Sequence, residues 1–212
     1  LFEEDLANLE TISKSLEKSS LTVQGDMEFI RNEGQRIIKI VNGMRKLSQP
    51  QSDRRLHSIH KILKESKVIM NDLFAKREFV IQLEAMASFD AVEIDKDELL
   101  QVLTNLMRNS LQSLSEAGVK AGALKIRTEN STSEGKNSIS IFIMDNGIGI
   151  SEENQKKLFE KQFTTKNREE GTGLGLSIAR RLVRSNGGDL VFVKSIKLAE
   201  TVFMMKFPIA VA

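Results

Sequence analysis

The chain has 212 residues, 40% of them hydrophobic, enough to fill the core of one or two domains. Its 31 basic and 29 acidic residues leave a net charge of +2, so no excess of one sign points to nucleic acid or an anionic membrane. There is no cysteine, which excludes a disulfide framework and thiolate metal sites. No stretch approaches the apolar length of a membrane span and no signal peptide opens the chain, so no membrane contact is expected within it. The first residue is Leu1, which suggests a fragment of something longer.

Residues 1 to about 48 carry the clearest helical periodicity, within a first domain read as 1–52. Met27, Ile30, Gly34, Ile37, Val41 and Met44 fall at alternating steps of three and four, the spacing of a supercoiled seam. Phe2, Leu6, Leu9 and Leu16 form a shorter partner stripe, and the polar residues 19–25 turn between the two. The pattern predicts a helical hairpin. Two narrow seams bury little alone, so the hairpin is expected to pair with a second copy as a four-helix bundle, the alternative being packing within the monomer. Pro50 ends it.

A second helix is expected over 56–76, with Ile59, Leu63, Ile69 and Leu73 on its apolar side, followed by a strand over 79–83. The chain's two histidines, His57 and His60, fall at its start with no acid adjacent in sequence. Without cysteine or a His-Glu-x-x-His pattern they read as solvated or capping residues, not metal ligands. Asp95-Lys-Asp-Glu98 has the form of a capping box opening a helix to about residue 116. Leu99, Leu103, Leu106, Ser110 and Leu114 form its core side, and Asn105, Asn109 and Gln112 a neighbouring stripe of amides. Amides have mediocre helix propensity, so such a row is either plain exposed surface or a site.

Strands are expected over 124–129 and 139–144, then, beyond a glycine-rich region, over 190–193 and 202–207, with Asn186-Gly-Gly as the turn before the third. In the glycine-rich region, Asp145-Asn-Gly-Ile-Gly and Gly171-Thr-Gly-Leu-Gly bracket a charged segment that reads as a loop held at both ends. Glycines at alternate positions let backbone approach a ligand, and the second cluster runs into a helix with Leu176, Ile178, Ala179, Leu182 and Val183 on one side. Free N–H groups there can hold a phosphate. The spacing fits neither a dinucleotide fingerprint nor a P-loop. The order of elements predicts an α+β sandwich, a mixed sheet covered by helices on one face, over 53–212.

Four segments carry a resemblance. LLQVLTNLMRNSLQSL at 99–114, MDNGIGI at 144–150, LFEKQFTTK at 158–166 and GTGLGLSIARRLV at 171–183 resemble the N, first glycine, F and second glycine boxes of sensor histidine kinases. These kinases belong to the GHKL group, which also contains DNA gyrase and a class of heat-shock chaperones. The hairpin resembles their dimerisation and phosphotransfer domain. The resemblance implies ATP and Mg²⁺ as ligands, with Asn109 giving its amide oxygen to the metal and Asn105 supporting the site. It implies that Asp145 accepts a hydrogen bond from the adenine amino group and that base and ribose lie against Gly147 and Gly149. Gly171, Thr172, Gly173, Leu174 and Gly175 would face the phosphates, Lys166 would add a charge, and Phe159 and Phe163 would anchor the lid.

Hydrolytic members of the group carry a water-activating glutamate at the position of Asn105. An amide cannot take the proton, so the resemblance implies phosphoryl transfer to a histidine and then to a response-regulator aspartate, within a homodimer in the cytoplasm. Departures remain. No residue from 1 to 20 fits the acceptor-histidine box, so the chain either starts just beyond that box or has lost it, which would leave a silent nucleotide-binding scaffold. Lys161-Gln162 and Asn186 also differ from the residues usual at their positions.

Overall fold

Leu124, Ile126 and Thr128 alternate with Lys125, Arg127 and Glu129, so one face of their strand can be dry and the other wet. The computed structural model, which describes residues 53–133, 135–160, 163 and 173–209, shows that outcome across a five-stranded sheet. Its order is β2 (Val80–Ala85), β4 (Ala123–Ser133), β5 (Lys136–Asp145), β7 (Glu200–Pro208) and β6 (Asp189–Ile196). β2 and β4 are parallel and the other neighbours antiparallel, which makes the sheet mixed. In register, Ile143 lies opposite Ile126 on one side and Phe203 on the other, so all three point to the same face. With Ile139, Ile141, Met205, Phe207 and Leu190 they form the sheet's half of the core. The opposite face carries ion pairs such as Lys125 with Glu84 at 3.1 Å.

Three helices supply the other half: α1 (Ile59–Ala75), α2 (Lys96–Ala117) and α4 (Gly175–Ser185). α2 packs against both of the others and is the spine of the layer. Leu99, Leu103, Leu106, Ser110 and Leu114 are all buried, as the spacing predicts. α1 is phased differently from the expectation. Its buried stripe is Ile59, Ile62, Leu63, Ser66, Met70 and Phe74, while Ile69 is 53% exposed and Leu73 is half-buried. A hydroxyl occupies a core position because Ser66 donates to the Leu63 carbonyl one turn back, at 2.8 Å.

Three elements were not foreseen. β1 (Arg55–Ser58) and β3 (Ala91–Ile94) form a small antiparallel sheet, placing His57 opposite Val92. A strand thus replaces the expected first turn of α1, and Ser58 caps the helix by accepting from Lys61 N–H. His60 is neither solvated nor a cap: its Nε2 lies 2.9 Å from the buried Thr128 hydroxyl and its Nδ1 3.4 Å from Asp90. An acid does stand beside it, contributed from 30 residues away in sequence. A short helix, α3 (Glu152–Gln155), opens the charged segment. The hairpin expected over 1–52 lies outside the described residues.

The start of α2 and the end of α4 are joined by one residue. Asp95 caps α2 by accepting from Glu98 N–H at 3.0 Å, but Glu98 does not return the bond as a capping box would. Instead the Asp95 N–H donates to Asn186 Oδ1 at 2.7 Å, while Asn186 Nδ2 donates to Glu98 at 2.8 Å and to the Leu182 carbonyl at 2.8 Å. Asn186, expected to be a turn residue, is 3% exposed. Gly187 at φ +78° then ends α4, with Gly187 N–H on Arg184 and Gly188 N–H on Val183, the paired bonds of a Schellman motif. β6 leaves this corner as an edge strand, with Arg184 2.8 Å and Arg180 3.3 Å from Asp189. A bulge at Val193 breaks its register with β7 between Phe192 and Lys194.

Asn186→Ala should destabilise the fold by about 1–3 kcal/mol, because it takes the acceptor from the half-buried Asp95 N–H and leaves Glu98 with the Ser185 hydroxyl in place of two donors. Urea unfolding should show the midpoint falling with an unchanged slope. The Arg184 guanidinium holds Asp189 at a pKa of about 2, below its usual 3.8. A depressed carboxyl stabilises the fold above its unfolded value and loses that contribution as pH falls through the folded one. Stability should therefore drop between about pH 4 and pH 2, and Asp189→Asn should flatten that part of an acid-unfolding curve.

Candidate functional site

The C-terminal half of α2 faces the end of β5, where Asp145 closes the central strand at 6% exposure. A carboxylate this buried must be solvated by protein. Ser110 Oγ donates to its Oδ2 at 2.9 Å, and Ser113 Oγ and Gly147 N–H donate to its Oδ1 at 3.2 and 3.1 Å. Burial pushes the Asp145 carboxyl above its ordinary value, and these three hydrogen bonds pull back against that rise.

The loop after Asp145 is fastened on two sides. Toward α2, Ile148 N–H donates to the Ser113 carbonyl at 3.1 Å, and a Cβ at Gly147 would fall 2.1 Å from Ser113 Oγ. Only glycine fits there. Toward the β6–β7 turn, Leu198 N–H donates to the Gly147 carbonyl at 2.9 Å and Ile150 N–H to Ser195 Oγ at 2.9 Å. Gly149 has φ +81° and would carry a Cβ 3.0 Å from Lys197 Cα. Asn146 pins the base of the loop to the chain before β4, accepting from Ala123 N–H and donating to the Ala121 carbonyl.

The second glycine cluster meets the same helix. Gly175 opens α4, and a Cβ there would lie 3.0 Å from the Asn105 amide, so Asn105 forms the wall against which the helix starts. Leu174 stands at the N-cap without a capping side chain, and Gly173 has φ +63°. Among the described residues the first N–H groups of α4 thus have no side-chain cap, the arrangement in which a helix start can hold an anion. Asn109 is half-buried one turn beyond Asn105, and its amide has no hydrogen-bond partner among the described residues. Gln112, third in the amide stripe, donates to Glu116. Phe159 stacks edge-on against Phe203 of β7, with Arg180 4.6 Å above its ring, and Phe163 packs on the core. Lys166, Gly171 and Thr172 lie outside the described residues.

The structure thus gathers Asn105, Asn109, Asp145, Gly147, Gly149, Gly173, Leu174 and Gly175 around the C-terminal half of α2 and its neighbours. Four residues escape a reading of the sequence: Ser113, Asn146 and Ser195, and Ser110 in any role beyond core packing. The available signal was Ser110 itself, a hydroxyl in a row of leucines.

The profile of the family described as histidine kinase-, DNA gyrase B-, and HSP90-like ATPase matches residues 94–211. Among curated proteins, the chain is 33% identical to the sensor protein TdiS of Thauera aromatica over 143 residues, covering 68% of this chain and 25% of that protein. It is 31% identical to the signal transduction histidine-protein kinase AtoS of Escherichia coli over 168 residues, covering 77% of this chain and 26% of that one. The chain therefore spans about a quarter of the length of these relatives. Among solved structures, the nucleotide-free catalytic domain of the histidine kinase ThkA superposes with a TM-score of 0.60 at 27% identity, covering 73% of this chain and 95% of that domain. With the mixed sheet, the helical layer and the glycine loops built on one spine, these likenesses place the chain in the histidine kinase-, DNA gyrase B- and HSP90-like ATPase family, as a domain of the histidine-kinase kind.

Proposed function

We propose that the chain is the core of a sensor histidine kinase that binds ATP·Mg²⁺ and passes the γ-phosphoryl group to a histidine, and then to an aspartate of a response-regulator receiver domain. The observation that carries this reading is the buried Asp145 carboxylate, held by three donors between α2 and a glycine loop, with uncapped helix N–H groups of α4 meeting the same helix. Asp145 accepts from the adenine amino group, and the loop at Gly147 and Gly149 gives base and ribose a wall of backbone. The N–H groups that open α4, with Gly173 and Leu174 before them, face the phosphates, and by the family resemblance Gly171, Thr172 and Lys166 are assigned to the same group. The donor set suits Mg²⁺, which takes hard oxygen ligands and keeps most of its water, so the one amide oxygen of Asn109 suffices. When bound, the metal neutralises charge on the transferring phosphoryl group.

Asn105 separates transfer from hydrolysis. Its amide lies against Gly175, beside the phosphate end of the site, and has no lone pair basic enough to deprotonate water. The acceptor is therefore a protein side chain. The seam from Met27 to Met44 is the part of the chain suited to bringing two copies together, as a dimer through the first fifty or so residues. The scaffold reading, binding without transfer, is the alternative, and an acceptor histidine supplied to this domain would decide against it. His57 and His60 do not replace that acceptor, since His57 sits within β1 and His60 is held by Thr128 and Asp90.

Calorimetry should give ATP·Mg²⁺ binding in the micromolar to millimolar range, about −4 to −8 kcal/mol. Asp145→Asn should weaken it roughly 10- to 100-fold by turning an acceptor into a mixed donor, whereas Asn109→Ala should chiefly remove the dependence on Mg²⁺. Unaltered binding in both variants would sink the assignment of the site. Light scattering at micromolar concentration should report twice the chain mass. The same sample incubated with γ-labelled ATP should take up no acid-labile label. Label mapped to His57 or His60 would overturn this reading of the acceptor, and label appearing only when the chain is extended upstream of Leu1 would decide for the kinase over the scaffold.

A further inference from the structure

Asp145 is more constrained than reading a base amino group requires. A carboxylate offers about four lone-pair positions. Three are taken, two on Oδ1 by Ser113 Oγ and Gly147 N–H and one on Oδ2 by Ser110 Oγ. One position on Oδ2 remains. The two serines stand three apart on α2, so both hydroxyls lie on the helix face turned to β5. Ser110 is 4% exposed, and neither hydroxyl has another partner among the described residues. Ser113 also positions the loop through its carbonyl, which accepts from Ile148 N–H.

Resting on the reading of this pocket as an adenine site, we propose that Ser110 and Ser113 are positioning residues that set the choice of purine, by holding Asp145 as a pure acceptor with a single open position. A carboxylate saturated by donors on three positions can accept only one more hydrogen bond. It takes a 6-amino group and meets a 6-oxo group lone pair to lone pair. If both hydroxyls are removed, Gly147 N–H alone remains against the burial that favours the protonated acid. A protonated carboxyl donates, and a donor at Oδ2 suits a 6-oxo purine. The serines therefore govern selectivity more than affinity for phosphate or ribose, since both hydroxyls are spent on Asp145.

The test uses the full chain with Mg²⁺ and compares ATP, inosine triphosphate and the purine-riboside triphosphate that lacks a 6-substituent. The parent should prefer ATP over the inosine nucleotide by roughly 100-fold or more, since a site built to hydrogen-bond a group rejects an analogue lacking it. In Ser110→Ala/Ser113→Ala that ratio should fall at least about tenfold, the worth of a charge-assisted hydrogen bond, with a gain for the inosine nucleotide. Ser113→Thr, which keeps the hydroxyl, should retain the parent ratio, while Ser113→Ala should lower it. A purely structural role would weaken all three nucleotides together and leave the ratio alone. If the double variant fails to fold, the Ser113→Ala and Ser113→Thr pair decides, and equal ratios in the two overturn the proposal. A parent that discriminates, with variants that discriminate equally, overturns this inference alone. A parent that binds no nucleotide, or shows no preference for the amino purine, overturns it together with the adenine reading.

Discussion

A carboxylate placed in a protein interior must find in the protein the hydrogen bonds that water would have given it, and much of this domain's architecture follows from doing so for Asp145. The acid sits at the end of the central strand because only there can donors reach it from a helix above and from the turn that follows. That arrangement fixes how close α2 must come to the sheet. It also fixes the residue after next, since Gly147 is squeezed between strand end and helix with no space for a Cβ. The loop then has to be anchored on its far side, which Ser195 and the Leu198 N–H provide from the β6–β7 turn. Leu198 itself adopts φ +58°, an uncommon conformation for a leucine that suits a tight turn.

α2 is the common reference for everything else. Near its start Asp95 and Glu98 engage Asn186, in the middle Asn105 meets the beginning of α4, and toward its end the serines meet Asp145. The two ends of α4 are thus referred to one rigid body about seven residues apart along α2, so the orientation of its glycine-led first turn is set by packing at the other end as well as by its own contacts. Buried leucines on the inner face of α2 hold that body to the sheet, each contributing on the order of 2 kcal/mol.

Where local signals were strong, the sequence carried the fold. The cap at Asp95 and the leucine spacing behind it located α2, and Ile139, Ile141 and Ile143 located β5 with its inward face. β1 and β3 were not legible because four residues each are too few to show alternation, and each exists only by pairing with the other, as His57 does with Val92 35 residues away. In α1, Ile69 looks apolar enough for the core, but the helix turns Ser66 inward in its place, a choice decided by tertiary packing. The site divides in the same way. The glycine clusters and the row of amides stand out by spacing, and Asp145 and the two asparagines gain a role only through the family resemblance, whereas Ser113, Asn146 and Ser195 are ordinary polar residues until folding brings their partners near. Asn186 was the least legible, because nothing in a sequence marks a turn asparagine as buried.

The bulge at Val193 carries a consequence for association. β6 borders the sheet, and an unbroken border strand offers a ladder of free amides and carbonyls on which another chain can grow. The shift between Phe192 and Lys194 interrupts that ladder midway and increases the local twist. Lys194 and Glu200 form an ion pair across the same end of the hairpin, which sets charge along a border that also exposes Val193 and Ile196. A domain with such a border resists open-ended stacking of sheet on sheet, even when it is concentrated near others of its kind.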